Sequence, residues 1–289
     1  MSHDAPAPAR PGEPSAEKRS EKRSDTLIRV VSAVVLAPLA IAAVLVGGWP
    51  FVLFWAIAAI GVHWEWSSEI LRAPRLPQAI GAGVLAFAGL VAGTGRPGLA
   101  VLVLAGGVAL MAVAVRERRA WCVGGLVYAG LVLAGPAVLR ADPSFGVVAI
   151  FVLFAVVWAT DVLAYFGGRA IGGPKLAPSI SPGKTWSGGV TGAVGGVVAG
   201  LLVAAVAGVP NLLAVAVLGL VLSCVSQAGD LFESAVKRRF GVKDSSRIIP
   251  GHGGLMDRLD GFLAAAGAAA LLGAMRGGLD GAAQGLLVW

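Results

Sequence analysis

Charge is what this chain has least of. Lys, Arg, Asp and Glu make up 13% of its 289 residues, against about 25% in soluble domains. A chain so short of charge cannot cover a water-facing surface, which excludes a soluble globular protein and leaves the bilayer as its solvent. Cysteine is nearly absent. The two present, Cys122 and Cys224, lie within apolar segments, which argues against a disulfide framework or a thiolate metal site and makes them packing residues. Period-2 alternation is weak and the Ala/Val/Leu/Gly runs are continuous, which argues against an outer-membrane barrel. What is abundant is apolar: 57% of residues are hydrophobic and the mean hydropathy is +0.82. The 42 glycines fall mostly inside apolar runs, where small residues let membrane helices approach closely. The expected fold class is an all-α integral membrane protein, a polytopic bundle of about nine transmembrane helices with a disordered N-terminal tail.

The tail is residues 1–25, rich in Pro, Ala and charge, a composition that does not form a core. A basic tail before an apolar stretch also resembles a secretory signal. Thr26 to Val46 is long enough to span, however, and lacks a clear cleavage context, so it reads as a retained first helix. Further apolar runs fall at about 50–66, 78–93, 98–115, 121–139, 146–165, 188–208, 211–229 and 260–275. The last 14 residues either extend the ninth helix or lie at the interface. With the N-terminus inside, 20 Lys and Arg fall on the inner side and only Arg96, Arg140 and Arg276 outside, the asymmetry expected of cytoplasmic loops. Three regions follow: the tail, an N-terminal membrane region at 26–145, and a C-terminal region at 146–289. The last contains two long inner loops, 166–187 and 230–259, and loops that long usually serve a function.

The first of these loops holds "SPGKT". A phosphate-binding P-loop would need glycine where Pro178 stands and a strand before it, so that reading fails. A Gly/Pro-rich loop with Lys175, Lys184 and two serines remains, suited either to phosphate oxygens or simply to fixing topology. Asp161, at the inner end of helix six, is costly in a spanning segment unless it faces a cavity, a cation or a partner; snorkelling at the helix end is the alternative.

The second loop carries most of the chemistry. Asp230, Glu233 and Ser234 fall within one helical turn at the end of helix eight, and Asp257 and Asp260 share a face at the start of helix nine. Carboxylates at two adjacent helix mouths suit a hard cation such as magnesium, which leaves positions for water and phosphate. Between them stand Lys237, Arg238, Arg239, Lys243, Arg247 and His252, a mix fitting a substrate with several phosphates. A solvated charge run accounts for Arg239 and Arg247 equally well. His252 is placed to bond a phosphate or orient a carboxylate, or alternatively to cap a carbonyl. The glycines of "PGHGG" allow close approach of backbone to a phosphate just before a helix N-terminus.

The segment "SAVKRRFGVKDSSRIIPGHGGLMDRLD", Ser234 to Asp260, resembles the signature of the bacterial phosphatidate cytidylyltransferases, the membrane enzymes that make CDP-diacylglycerol. Ser234, Lys237, Arg238, Lys243, Asp244, His252, Gly253, Gly254, Asp257, Arg258 and Asp260 fall where that pattern requires them. "GDLFES" before it and "HWEWSSE" after helix two are similar to further family features. "SPGKTWSGG" resembles the family's S-P-K-K-T-W-E-G loop, keeping Lys184, Thr185 and Trp186 but carrying Gly183 for a lysine and Ser187 for a glutamate.

The resemblance implies transfer of a cytidylyl group from CTP to phosphatidate with release of pyrophosphate. It implies Asp230 and Asp257 as magnesium ligands, with room for a monovalent cation such as potassium, and a homodimer in the inner membrane with its active site on the cytoplasmic side. The catalytic set is then Asp230, Asp257, Lys237, Arg238 and Asp260. Lys184, Ser234, Lys243, His252, Gly253, Gly254 and Arg258 bind substrate, and no nucleic-acid partner is expected. A secondary transporter would instead gather its polar groups near the midplane on broken helices. A phosphotransferase acting on CDP-diacylglycerol would need an arginine that "DGFLAA" at Asp260 lacks. A CTP-dependent lipid-alcohol kinase would need the same metal and nucleotide but release CDP.

Overall fold

The computed structural model describes residues 36–246, 248 and 253–289. The tail and the start of the first apolar run lie outside the described residues, as do Arg247 and His252. Ten α-helices follow: α1 (Leu36–Val46), α2 (Gly48–Trp64), α3 (Arg75–Gly93), α4 (Pro97–Ala114), α5 (Arg119–Ala141), α6 (Gly146–Ile171), α7 (Trp186–Val206), α8 (Leu212–Arg239), α9 (Met256–Gly277) and α10 (Ala282–Leu287). Among the described residues seven of them, α3 to α9, are long and apolar enough to cross a membrane. α2 has 17 residues and passes directly into a π-helical segment, Glu65–Ile70. Within the described residues, every apolar run located in the sequence coincides with a helix. Large apolar side chains such as Leu102, Val113, Val206 and Leu213 are exposed on the outside of the bundle, as lipid contact requires.

The helix ends differ from the hydropathy boundaries. α8 continues to Arg239, well past the expected 229, because its polar turns are made of good helix formers and its charges pair along it: Lys237 Nζ lies 2.5 Å from Glu233 Oε2, one turn back. α6 likewise continues to Ile171, so Asp161 sits about 15 Å, three turns, from its end. Hydropathy marks where the bilayer stops, and these helices run on beyond it. The loop expected at 166–187 is partly a two-stranded antiparallel hairpin, β1 (Lys175–Ala177) and β2 (Ser181–Thr185), with Lys175 opposite Thr185. Strands this short leave no alternation for sequence reading to detect. The C-terminal residues neither extend α9 nor leave the bundle. α10 folds back against α9, tied by Gln284 N donating to Asp142 Oδ2 at 2.7 Å and by Arg276 stacking 3.7 Å over the Trp289 ring. Cys122 packs inside, whereas Cys224 lies on the outer face of α8 and does not fill the core.

Two glycine seams set the spacing around the site. On α7, Gly188, Gly192 and Gly196 recur every fourth residue, and a Cβ there would come within 2.7, 2.8 and 3.0 Å of the α6 carbonyls of Ala164, Thr160 and Val156. This small-xxx-small face brings the α6 and α7 backbones together. α8 and α9 meet at Gly229 and Gly261. A buried bond between Thr160 Oγ1 and Ser223 Oγ, 2.7 Å, joins α6 to α8. Deeper in the bundle Trp55 of α2 stacks on Phe262 of α9, centroids 4.8 Å apart. The Thr185 hydroxyl caps α7 by accepting from Gly188 N at 3.1 Å. Replacing Thr185 with alanine is expected to cost about 0.5–2 kcal/mol, read as a lowered midpoint in a thermal melt in detergent.

Candidate active site at the helix mouths

α6, α7, α8, α9 and the hairpin enclose a cleft of about 780 Å³. Four carboxylates line it, Asp161 of α6, Asp230 of α8, and Asp257 and Asp260 of α9, and four cations face them, Arg169 of α6, Lys175 and Lys184 of the hairpin, and Arg258 of α9. Asp230, Asp257 and Asp260, expected at adjacent helix mouths, therefore line one cleft, and Asp161 lines it with them. Asp257 lies in the first turn of α9 while Asp230 precedes the end of α8 by nine residues, so the last turns of α8 project past the cleft.

Each proposed metal ligand holds an ammonium. Lys184 Nζ is 2.5 Å from Asp230 Oδ2, and Lys237 Nζ is 2.6 Å from Asp257 Oδ1. Lys237 also pairs with the fully buried Glu233, so it bridges α8 to α9. The other Asp257 oxygen, Oδ2, accepts from Ser245 N at 2.9 Å, Ser245 Oγ at 2.9 Å and Gly254 N at 2.8 Å. Three donors on one oxygen stabilise the ionised carboxylate and fix its orientation. Gly253, at φ 78°, turns the chain into this cradle, and a Cβ on it would stand 2.7 Å from Asp257 Oδ2. Glycine meets both demands. Asp260 Oδ1 accepts from Gly261 N at 2.7 Å.

The remaining sequence-derived candidates separate. Ser234 donates a long bond, 3.4 Å, to Asp230 Oδ1. Arg238 and Lys243 are exposed and outside the cleft lining; Arg238 reaches the carbonyls of Ile180 and Val242 at 3.4 and 3.5 Å. His252 lies outside the described residues. Sequence reading singled out neither Arg169, whose guanidinium stacks 5.0 Å over Tyr165, nor Ser245, nor Glu65. Their proximity to the cleft comes from tertiary packing, and only the motif "HWEWSSE" hinted at Glu65. Gly183 lines the cleft with open space where a side chain would begin, and Ser187, in the place of the family glutamate, donates to the Gly172 carbonyl.

Comparison with known proteins bears on what this cleft belongs to. Residues 27–275 match the model of the cytidylyltransferase family. The chain belongs to that family. It is 43% identical over 255 residues to a phosphatidate cytidylyltransferase of Brucella abortus, an alignment covering 87% of this chain and 94% of the relative. A phosphatidate cytidylyltransferase of Haemophilus influenzae is 43% identical over 133 residues, 43% of this chain and 45% of that protein. One from Staphylococcus saprophyticus is 43% identical over 149 residues, 50% of this chain and 55% of that protein. In this cytidylyltransferase the family match covers every carboxylate and cation of the cleft.

Proposed function

We propose that this chain transfers the cytidylyl group of CTP to phosphatidate, giving CDP-diacylglycerol and pyrophosphate. The observation that carries the reading is the cleft itself: four carboxylates and four cations face one cavity among membrane-spanning helices, in a member of the cytidylyltransferase family. A lipid substrate keeps its acyl chains in the bilayer while its phosphate reaches the helix mouths, where a soluble nucleotide arrives. The excess of Lys and Arg on one side supports placing these mouths at the cytoplasmic face of the inner membrane. A homodimer is proposed from family resemblance alone.

In the reaction an oxygen of the phosphatidate phosphate forms a bond to the α-phosphorus of CTP as the bond from that phosphorus to the β-bridging oxygen breaks, and pyrophosphate leaves. A phosphate monoester with a second pKa near 6 is already mostly dianionic at neutral pH, so no general base is required. The obstacle is repulsion between two anions. Lys184, Lys175, Arg169 and Arg258, on different elements around the cleft, counter it and hold the charge that develops on the leaving group.

Asp230 and Asp257 fit a magnesium ion. They offer hard oxygen donors to the cleft, and each already holds a cation, the ammonium of Lys184 or Lys237. Two carboxylates are enough for magnesium, whose remaining positions go to water and phosphate oxygens. Bound there, the ion supplies charge neutralisation at the phosphates. Lys237 would shift toward Glu233, which it already contacts.

Purified protein in detergent is expected to release pyrophosphate from CTP only when phosphatidate and magnesium are both present; release of CDP with a diacylglycerol in place of phosphatidate would favour the kinase. Lys184→Met is expected to raise the KM for CTP about tenfold, the order of one charge-assisted hydrogen bond, as measured by initial rates.

A further inference from the structure

Glu65 is fully buried and opens the π-helical segment that ends α2, a backbone irregularity frequent at functional sites. Its carboxylate meets four donors on residues 180 to 191 positions further along the chain, one of which, the Ser245 hydroxyl, it shares with Asp257. Oε1 accepts from Ser246 Oγ at 2.6 Å and Leu255 N at 2.7 Å, and Oε2 from Ser245 Oγ at 3.1 Å and Met256 N at 2.6 Å. One side chain therefore joins the middle of the loop between α8 and α9 to its end. Leu255 is the N-cap of α9 and provides no side-chain cap of its own. Glu65 supplies that cap from another helix, with its negative charge at the favourable pole of the helix dipole.

The same contacts lead to Asp257. The Ser245 hydroxyl carries a single proton yet lies 3.1 Å from Glu65 Oε2 and 2.9 Å from Asp257 Oδ2, and the Ser245 N–H donates to that same Asp257 oxygen. Met256, held by Glu65, immediately precedes Asp257. We infer that Glu65 is a positioning residue for Asp257: by fixing Ser245 and the first turn of α9 it sets the orientation of the Asp257 carboxylate at the cleft it lines. The chemistry requires a carboxylate. Glutamine has the same shape but one acceptor oxygen, so its amide N–H groups would oppose two of the four donors.

This inference rests on the proposed function only in giving Asp257 a role in holding a cation. The test uses full-length Glu65→Gln in detergent with two readouts, turnover per folded molecule and the magnesium concentration giving half of the maximal thermal stabilisation, which requires no substrate. The variant is expected to lose at least tenfold in kcat and to need at least threefold more magnesium. An unshifted magnesium midpoint overturns the inference, whether or not turnover or the melting temperature falls. Should Glu65→Gln yield no folded protein, Ser245→Ala, which removes the shared hydroxyl and leaves three of the Glu65 bonds, is expected to shift the midpoint in the same direction; no shift there overturns it too. Failure of the unsubstituted protein to turn over CTP with phosphatidate would count against the proposed function, and the magnesium midpoint would still decide the role of Glu65.

Discussion

Replacing Asp257 with asparagine is expected to lower turnover by about 10²–10³-fold or more, the order lost when a group that manages transition-state charge is removed. The substitution keeps the volume of the side chain but removes the charge on which Lys237, Ser245 and Gly254 converge. If its amide nitrogen takes the Oδ2 position it opposes three donors; if it takes the Oδ1 position it opposes the Lys237 ammonium. Either orientation disturbs the cleft while leaving the apolar helix packing intact. The variant is therefore expected to insert and to migrate on size exclusion like the unsubstituted protein. Initial rates with purified protein decide the matter, and near-normal rates would remove Asp257 from the site.

A second large effect is expected from a residue with no polar atom in its side chain. A Cβ at Gly229 would lie 2.6 Å from Ala264 Cβ and 2.7 Å from the Asp260 carbonyl, so Gly229→Val must push α8 away from α9. Overpacking of this kind costs about 1–3 kcal/mol. The larger consequence is geometric: Asp230 adjoins Gly229 on α8, and its separation from Asp257 and Asp260 grows with the gap between the helices. Turnover is expected to fall at least a hundredfold, about 2.7 kcal/mol in barrier, with a smaller drop in thermal stability. Gly229→Ala combined with Ala264→Gly relieves the Cβ clash and is expected to recover part of the activity lost in Gly229→Ala alone. Equal rates for single and double variants would show that the seam does not set the site.

The sequence makes legible those parts of the molecule that local pattern controls. Apolar runs of spanning length place the helices, because lipid leaves helical backbone little alternative. The i, i+3 spacing of Asp257 and Asp260 puts both in one cleft because both lie in α9. Asp161 could be singled out because a carboxylate in an apolar run is costly. What local pattern does not control is lost. The charged end of α8 reads as loop because its helix is stabilised by ion pairs and not by hydropathy. The hairpin is too short for a period. Glu65 lies far along the chain from the residues it holds, and a motif near α2 says nothing of where α9 begins. Lys237 reads as a phosphate binder from its place among other cations, whereas in the structure it is engaged with Glu233 and Asp257.

The most direct test of the central claim follows separate labels on CTP. Purified protein is given phosphatidate and magnesium with CTP labelled at either the α- or the γ-phosphate. Cytidylyl transfer requires the α-label to enter the lipid product and the γ-label to leave in pyrophosphate, with no turnover when phosphatidate is omitted. γ-Label in the lipid together with free CDP would contradict the account and show phosphoryl transfer at the same cleft.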